Sequence, residues 1–247
     1  MSPIKEIIVN KRTDINPIWI MRQAGRYLPE FREIRKQNTD FIKLCLNEVL
    51  SSEITLQPLK RFDLDAAIIF SDILMVPHAL NQTVNFKRDY GPKLEDLNLT
   101  SIKHLKDSQF IKKLAPIYQS LKEIKKNNLV KGKRDLIGFV GAPWTLLVYM
   151  LNKSSPKKKI NKNLFKDKVY IDKILKVLNR YLKLHIKEQV RNGASIIQIF
   201  DSWSGLVEKK KLEDLVYKPT QKLVKFTKSL GVPVITFPRN IENYKEY

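Results

Sequence analysis

The chain has 247 residues, of which 43% are hydrophobic, and this is enough for one large domain or two small ones with a real core. Its formal net charge is +21, but the lysines are spread along the whole chain, so we expect no nucleic-acid partner. No apolar run reaches the roughly 18 residues of a membrane span, and the N-terminus lacks the pattern of a signal peptide. Cys45 is the only cysteine, which excludes an intrachain disulfide and fits a reducing cytosol.

Residues 17–35 combine a short apolar run with a cluster of arginines. The apolar run 18–20 predicts a buried strand. The arginines that follow it are Arg22, Arg26, Arg32 and Arg35. A guanidinium is planar and can bind a carboxylate or phosphate through two parallel hydrogen bonds. Gly25 frees the backbone for a sharp turn or a close approach to a ligand. The segment therefore predicts an anion site at the mouth of a sheet, although a solvated basic loop is an equal alternative for any single arginine.

Apolar stripes and runs predict the remaining elements. Helices are predicted over 39–62, with Thr39 or Asp40 as the cap, and over 109–128, 144–151, 169–192 and 216–229. Buried strands are predicted over 66–70, 136–140, 195–200 and 232–237, and a short strand over 83–86. Residues 153–168 are rich in lysine and predict a mobile surface loop.

Helices alternate with continuously apolar strands, which predicts an α/β fold with a parallel sheet covered by helices. A (β/α)8 barrel and an open doubly wound sheet both fit this order, and the lack of a GxGxxG or Walker loop disfavours a nucleotide-binding open sheet. In both architectures ligands bind at the carboxyl ends of strands, where Arg22, Arg26, Asp72, Tyr149 and Ser202 gather. Only five strand–helix units fit into the chain, so we expect either an open sheet or part of a barrel.

Four motifs, MRQAGRYLPE, FSDIL, GAPWTL and FDSWSG, stand in this order along the chain. With them the chain resembles the uroporphyrinogen decarboxylase family of haem biosynthesis over nearly all of residues 3–247. The resemblance implies a cytoplasmic (β/α)8 TIM barrel, usually a homodimer, that acts as a carboxy-lyase without cofactor or metal. Its reaction removes CO2 from the four acetate side chains of uroporphyrinogen III and gives coproporphyrinogen III. The resemblance also implies that residues 1–247 form a single incomplete barrel domain of about the first five β/α units, which is inactive on its own.

The same resemblance assigns roles to residues. The expected substrate-binding residues are Arg22, Gln23, Ala24, Gly25, Arg26, Arg35, Asp72, Tyr149 and Ser202. Asp72 is expected at the centre of the cleft, facing the pyrrole N–H groups, with Tyr149 as a hydrogen-bond partner of the substrate or of Asp72. Taken alone, Asp72 and Ser202 are more often helix caps, and Tyr149 is more often a packed core residue.

The chemistry explains why a carboxylate is expected there. Protonating a pyrrole carbon creates a cation that accepts the electrons left by CO2, and a fixed Asp72 carboxylate stabilises that cation more than the neutral ground state. Arg22 is the family's candidate proton donor. A guanidinium is too weak an acid for that role, so a substrate carboxyl or a water held by Arg22 is an equal alternative.

Two other functions compete with this interpretation. A corrinoid- or zinc-dependent methyltransferase of a related barrel family would need clustered thiolate and histidine ligands, which one helical cysteine and three scattered histidines do not supply. A non-catalytic basic binding protein is the second alternative.

Overall fold

The computed structural model describes residues 2–87, 90–156, 160–242, 244 and 247. Its strands are β1 (Ala66–Ile68), β2 (Val84–Lys87), β3 (Gly91–Leu94), β4 (Asp135–Gly141), β5 (Ile196–Asp201) and β6 (Val234–Pro238). Its α-helices are α1 (Pro3–Asn10), α2 (Pro29–Gln37), α3 (Phe41–Cys45), α4 (Glu48–Arg61), α5 (Met75–Ala79), α6 (Leu99–Lys103), α7 (Asp107–Lys126), α8 (Pro143–Asn152), α9 (Lys168–Arg191) and α10 (Lys218–Ser229). Short 3-10 turns cover Lys162–Phe165, Ser204–Leu206 and Lys209–Lys211, and a π-helical turn, Glu213–Tyr217, precedes α10.

Four strands form one parallel sheet in the order β1-β4-β5-β6. This order follows the chain without reversal, and helices occupy every connection. A doubly wound sheet reverses its order at a switch point, so the arrangement is that of successive β/α units in the wall of a (β/α)8 barrel. The predicted α/β barrel class is confirmed, while β2 and β3 form a separate antiparallel hairpin inside the connection from β1 to β4.

Helix α9 covers one face of the sheet. Gln189 on α9 accepts a hydrogen bond from the N–H of Phe139 at 2.9 Å and donates one to its carbonyl at 3.0 Å. Gly138 makes room for this contact, because a Cβ there would lie 2.6 Å from Oε1 of Gln189. Side chains alternate along a strand, so Phe139 points to the opposite face, where it meets Phe200 edge to face at 5.5 Å. The face that points away from α9 is thus lined by aromatic rings.

The predicted strand over 18–20 is wrong. The segment runs beside the start of β1, but the N–H of Ile18 donates to Oδ2 of Asp65 at 2.7 Å and its carbonyl accepts from the N–H of Asp65 at 2.8 Å, without a continuing ladder. Ile18 and Ile20 are 60% and 56% exposed, whereas Trp19 packs against the core. Among the described residues no strand covers the outer side of this segment, so only one side chain in three is packed. The parallel sheet therefore contains four of the five predicted strands.

The predicted helix over 39–62 is two helices. Asp40 caps α3 by accepting from the N–H of Lys43 at 3.0 Å, which confirms one of its two predicted caps. Asn47 then caps α4 by accepting from the N–H of Leu50 at 3.0 Å, so the chain restarts rather than continues. Val49, in the first turn of α4, is 68% exposed as a result.

The other predicted helices and strands are confirmed with small shifts at their ends. The predicted mobile loop over 153–168 includes residues 157–159, which lie outside the described part of the chain. Within that loop, Ser154 forms an isolated antiparallel bridge with Lys93, and a 3-10 turn begins at Lys162. None of the described helices combines the length and the apolar character that crossing a bilayer demands.

Candidate active site

Asp72 lies in the connection that leaves β1, just before α5. Its Oδ1 accepts a hydrogen bond from the N–H of Leu74 at 2.8 Å, so the carboxylate is anchored by the backbone of its own turn. Its Oδ2 has no hydrogen-bond partner within the described residues. Burial raises the pKa of Asp72 to about 6, and the Leu74 N–H and the charge of Arg22 act in the opposite direction. The side chain thus closes the turn before α5 without capping that helix, whose N-cap residue is Leu74, and it still offers one oxygen to a ligand.

Tyr149 on α8 completes a cluster with Asp72 and Arg22. Burial raises the pKa of its hydroxyl, Asp72 raises it further and Arg22 lowers it, which places all three within electrostatic reach of one another. The predicted hydrogen bond from Tyr149 to Asp72 is not formed, because Ser155 Oγ donates to the Tyr149 hydroxyl at 3.2 Å. The Tyr149 ring meets the Trp203 ring edge to face at 5.8 Å. Three distant parts of the sequence therefore meet in one place.

Arg26 and Arg35 form a second cationic group near this cluster. Burial lowers the pKa of Arg35 and the charge of Arg26 lowers it further, as expected for two neighbouring guanidiniums. Arg35 is held by the carbonyls of Asn38 and Thr39, the second at 3.3 Å, and lies 5.4 Å from the centre of the Phe41 ring. Arg26 is exposed and has no ion pair within the described residues. Two adjacent cations with little compensation form a favourable place for a carboxylate.

Three residues lie between Arg22 and Arg26, and the first two of them contact the interior of the protein. Gln23 is 1% exposed, and its Nε2 donates to the carbonyl of Ala66 at 3.0 Å, so its amide fastens the loop to β1 instead of facing solvent. Ala24 packs against the core. Gly25 does not use the φ freedom of glycine, since its φ lies outside the left-handed region and a Cβ would meet Tyr27 at an ordinary 3.6 Å. Its close approach to a ligand stays a prediction.

Ser202 lies half-buried in the turn after β5, and within the described residues its hydroxyl has no hydrogen bond. The preceding residue, Asp201, was not predicted and is fully buried. Thr145 donates to its Oδ1 at 2.6 Å and Tyr247 to its Oδ2 at 3.1 Å. Burial raises the pKa of Asp201 to about 6, while these two hydrogen bonds lower it. The signal in the sequence was the polar pair Asp201-Ser202 at the end of an apolar run, which resembles Ser71-Asp72 after the strand predicted over 66–70.

The described residues contain no group of three His, Cys, Asp or Glu side chains that could bind a metal ion. Cys45 is buried on α3, and burial raises the pKa of its thiol well above its ordinary value, with Asp72 adding to the effect. A thiolate ligand is therefore disfavoured at this position.

Comparison with known proteins gives the site its context. The family model described as Uroporphyrinogen decarboxylase (URO-D) matches residues 1–245. Proteins named uroporphyrinogen decarboxylase are similar to the chain, at 42% identity in Campylobacter jejuni and at 40% in Rickettsia bellii. These alignments cover 95% and 96% of this chain and 70% and 69% of the two relatives, so the chain spans about 70% of their length.

Among solved structures, a methyltransferase from Methanosarcina mazei superposes with a TM-score of 0.72 over 94% of this chain and 67% of its own length. Its sequence is only 14% identical, so this likeness concerns the fold alone. The family model and the two relatives, by contrast, match nearly the whole sequence and include the segments that carry Arg22, Asp72, Tyr149 and Ser202. The chain belongs to the uroporphyrinogen decarboxylase family.

Proposed function

We propose that this protein decarboxylates the four acetate side chains of uroporphyrinogen III and releases coproporphyrinogen III, as a carboxy-lyase without cofactor or metal. The observation that supports this most directly is the cluster of Arg22, Asp72 and Tyr149 at the carboxyl end of the sheet. Arg22 supplies a cation that can bind a carboxylate of the substrate, and Asp72 supplies a carboxylate that can accept a hydrogen bond from a pyrrole N–H. Uroporphyrinogen carries both carboxylates and pyrrole rings.

Substrate binding is assigned to the arginines. Arg22, Arg26 and Arg35 would bind carboxylates of the substrate, and each charge-assisted hydrogen bond contributes about 1.5–3 kcal/mol. The neighbouring Arg26 and Arg35 repel one another in the free protein, and a bound carboxylate would relieve this repulsion. The Ser202 hydroxyl, in the turn after β5, is a further donor for the same ligand.

The chemical step uses the charge of Asp72. A proton adds to the pyrrole carbon next to the acetate-bearing carbon, and the resulting cation is delocalised onto the ring nitrogen, whose N–H donates to Asp72. The bond between the CH2 carbon and the carboxylate carbon of the acetate then breaks, and CO2 leaves. The electron pair of that bond forms the double bond of an exocyclic methylene. A second proton converts this methylene into a methyl group, and the ring carbon returns its proton. The first proton comes from a substrate carboxyl or a water held by Arg22, because a guanidinium is too weak an acid.

We also propose that the protein acts as a homodimer in the cytoplasm, as the resemblance implies. Sedimentation of the purified protein measures its oligomeric state.

A corrinoid- or zinc-dependent methyl transfer has no comparable support, since the single cysteine is buried with a raised pKa. A basic binding protein without catalysis would bind porphyrins and leave uroporphyrinogen unchanged.

The test is turnover by the full-length protein. Uroporphyrinogen III is added under anaerobic conditions, and the products are oxidised and separated by the number of carboxyl groups they retain. We expect successive loss of carboxyl groups down to coproporphyrin, at the same rate before and after dialysis against a chelator. Unchanged substrate in the presence of well-folded protein would contradict the proposal, and a rate that collapses on chelation would contradict its metal-free form.

A further inference from the structure

Trp203 follows β5, two residues after Asp201, and its backbone is fixed on both sides. Its N–H donates to Oγ1 of Thr145 at 3.1 Å, and its carbonyl accepts from Nε1 of Trp144 at 2.9 Å. Thr145 in turn donates to the buried carboxylate of Asp201 at 2.6 Å. Three hydrogen bonds thus join α8 to the end of β5 and the turn that follows it, and they leave the backbone of Trp203 little freedom to move.

The side chain of Trp203 is unusual in one respect. Its indole nitrogen, Nε1, is buried and has no hydrogen-bond partner among the described residues. Buried Trp N–H groups normally have a partner, because an unsatisfied donor costs about 1–3 kcal/mol. The neighbouring indole of Trp144 follows this rule, since its Nε1 is paired with the Trp203 carbonyl.

This unpaired donor lies beside the candidate active site. The Trp203 ring packs edge to face on Tyr149, whose hydroxyl is within electrostatic reach of Asp72 and Arg22. The indole is close enough to lower the pKa of the Tyr149 hydroxyl, yet its geometry falls short of a hydrogen bond. A group bound next to Tyr149 could therefore accept a hydrogen bond that the protein alone does not provide.

We propose that Trp203 is a substrate-binding residue whose indole N–H donates a hydrogen bond to an acetate or propionate carboxylate of the bound tetrapyrrole. The proposal rests on the function proposed above. A neutral and directional donor complements the arginines, because it fixes where a carboxylate lies without adding charge. The rigid backbone of Trp203 means that little conformational entropy is lost when this hydrogen bond forms.

The test removes the N–H and keeps the ring. In the full-length protein Trp203 is replaced by 3-benzothienylalanine, in which sulfur stands for the N–H, and Trp203→Phe serves as a second variant. The same replacement at Trp19, a half-buried indole packed on the core, is the matched control. Binding of uroporphyrin and coproporphyrin is followed by porphyrin fluorescence anisotropy, and the thermal transition of each variant confirms folding.

We expect the sulfur analogue at Trp203 to bind uroporphyrin about 10-fold more weakly, the loss typical of a hydrogen bond to a charged group. KM for uroporphyrinogen should rise similarly while kcat changes little, and the control at Trp19 should behave as the parent does. A loss with uroporphyrin alone identifies an acetate, and a loss with both porphyrins identifies a propionate.

Unchanged binding and KM in the folded sulfur analogue would overturn the assignment even if Trp203→Phe fails to fold. The proposed function fails separately, when the parent protein leaves uroporphyrinogen unchanged.

Discussion

At Asp72 the two carboxylate oxygens have different surroundings. The Leu74 N–H holds Oδ1, whereas within the described residues Oδ2 has no partner. A carboxylate that is anchored at one oxygen keeps its orientation while a ligand binds at the other, which is the preorganisation that charge stabilisation requires. The pKa near 6 leaves most of the group ionised at neutral pH.

We predict that Asp72→Asn is nearly inactive, with turnover reduced at least about 10²-fold, the effect of removing one electrostatic stabiliser. Asp72→Glu keeps the charge and displaces it by a methylene, so it should retain more activity. Porphyrin binding should fall less than turnover, because the pyrrole cation exists only along the reaction path. Coproporphyrinogen formation by both variants is the measurement, with tryptophan fluorescence as the check on folding. Wild-type activity in the Asn variant, or more activity in Asn than in Glu, would show that Asp72 only caps its turn.

The raised pKa of Asp72 predicts the pH dependence of kcat/KM. The ionised form is required, so kcat/KM should fall as the pH drops below about 6. Arg22 lowers this pKa, so Arg22→Ala should move the midpoint to higher pH in addition to weakening binding. Arg191→Ala, at the far end of α9, removes an exposed arginine and should leave the midpoint unchanged. A midpoint that is the same in Arg22→Ala would remove Arg22 from the surroundings of Asp72.

At the level of residues, the sequence grouped Arg22, Asp72 and Tyr149 of the candidate site but did not reveal the contacts of Asp201 and Trp203. Arg22, Asp72 and Tyr149 could be grouped because the carboxyl ends of parallel strands meet at one edge. Trp203 and Asp201 were missed because their importance lies in hydrogen bonds, or in the lack of one, and these depend on how α8 packs on the turn after β5.

The loop over residues 22–26 is positioned by its least exposed member. Gln23 reaches the Ala66 carbonyl with its Nε2, and its Oε1 accepts from the N–H of Ile20 at 3.3 Å. The amide thus fixes both the entry of the loop and its distance from β1. Arg22 and Arg26 can point outward because Gln23, which lies between them in the sequence, points inward.

We predict that Gln23→Met lowers the free energy of unfolding by about 1–3 kcal/mol, because it leaves a buried carbonyl and a backbone N–H without partners. Equilibrium unfolding in urea measures the change, and KM should rise as the arginines lose their fixed position. Gln37→Met, at the exposed end of α2, is the matched control and should be neutral. Equal stability of the two variants would show that the loop is positioned by other contacts.

The arginines of this loop are predicted to act on substrate and not on folding. Arg22→Ala or Arg26→Ala should sharply reduce the use of uroporphyrinogen while the thermal transition stays near that of the parent. Both side chains are exposed and lack an ion pair within the described residues, so neither supports the fold. Near-normal turnover by both variants would remove the assignment of this loop to carboxylate binding.

At the level of elements, apolar patterns located the long helices and the four strands of the parallel sheet, but they missed the short helices α1, α2, α5 and α6 and the strand β3. They failed at residues 18–20, because an apolar run does not reveal whether a neighbouring strand is present to cover it. They also merged α3 with α4, since the apolar stripe continues past Asn47 while the backbone turns there.

Within the described residues the parallel sheet ends at β6 in an edge that no other strand covers. Strand β6 pairs only with β5, and the side chain of Phe237 remains 36% exposed. An unpaired strand edge with apolar side chains promotes association and gains no stability from a second neighbour.

We therefore predict that residues 1–247, expressed on their own, are unstable and inactive. Differential scanning calorimetry and the decarboxylation assay are the measurements. A cooperative thermal transition together with measurable turnover by this chain would refute the argument from the exposed edge.

Each strand of the parallel sheet pairs with the preceding strand of the same sheet. This order bears on how the polypeptide folds as it leaves the ribosome. The 55 positions from the end of β4 to the start of β5 take about 3–11 s to synthesise at 5–20 residues per second. Helices form in about a microsecond, so α8 and α9 can dock long before β5 emerges. The helices of one unit can thus pack on their strand before the next strand is available to pair with it.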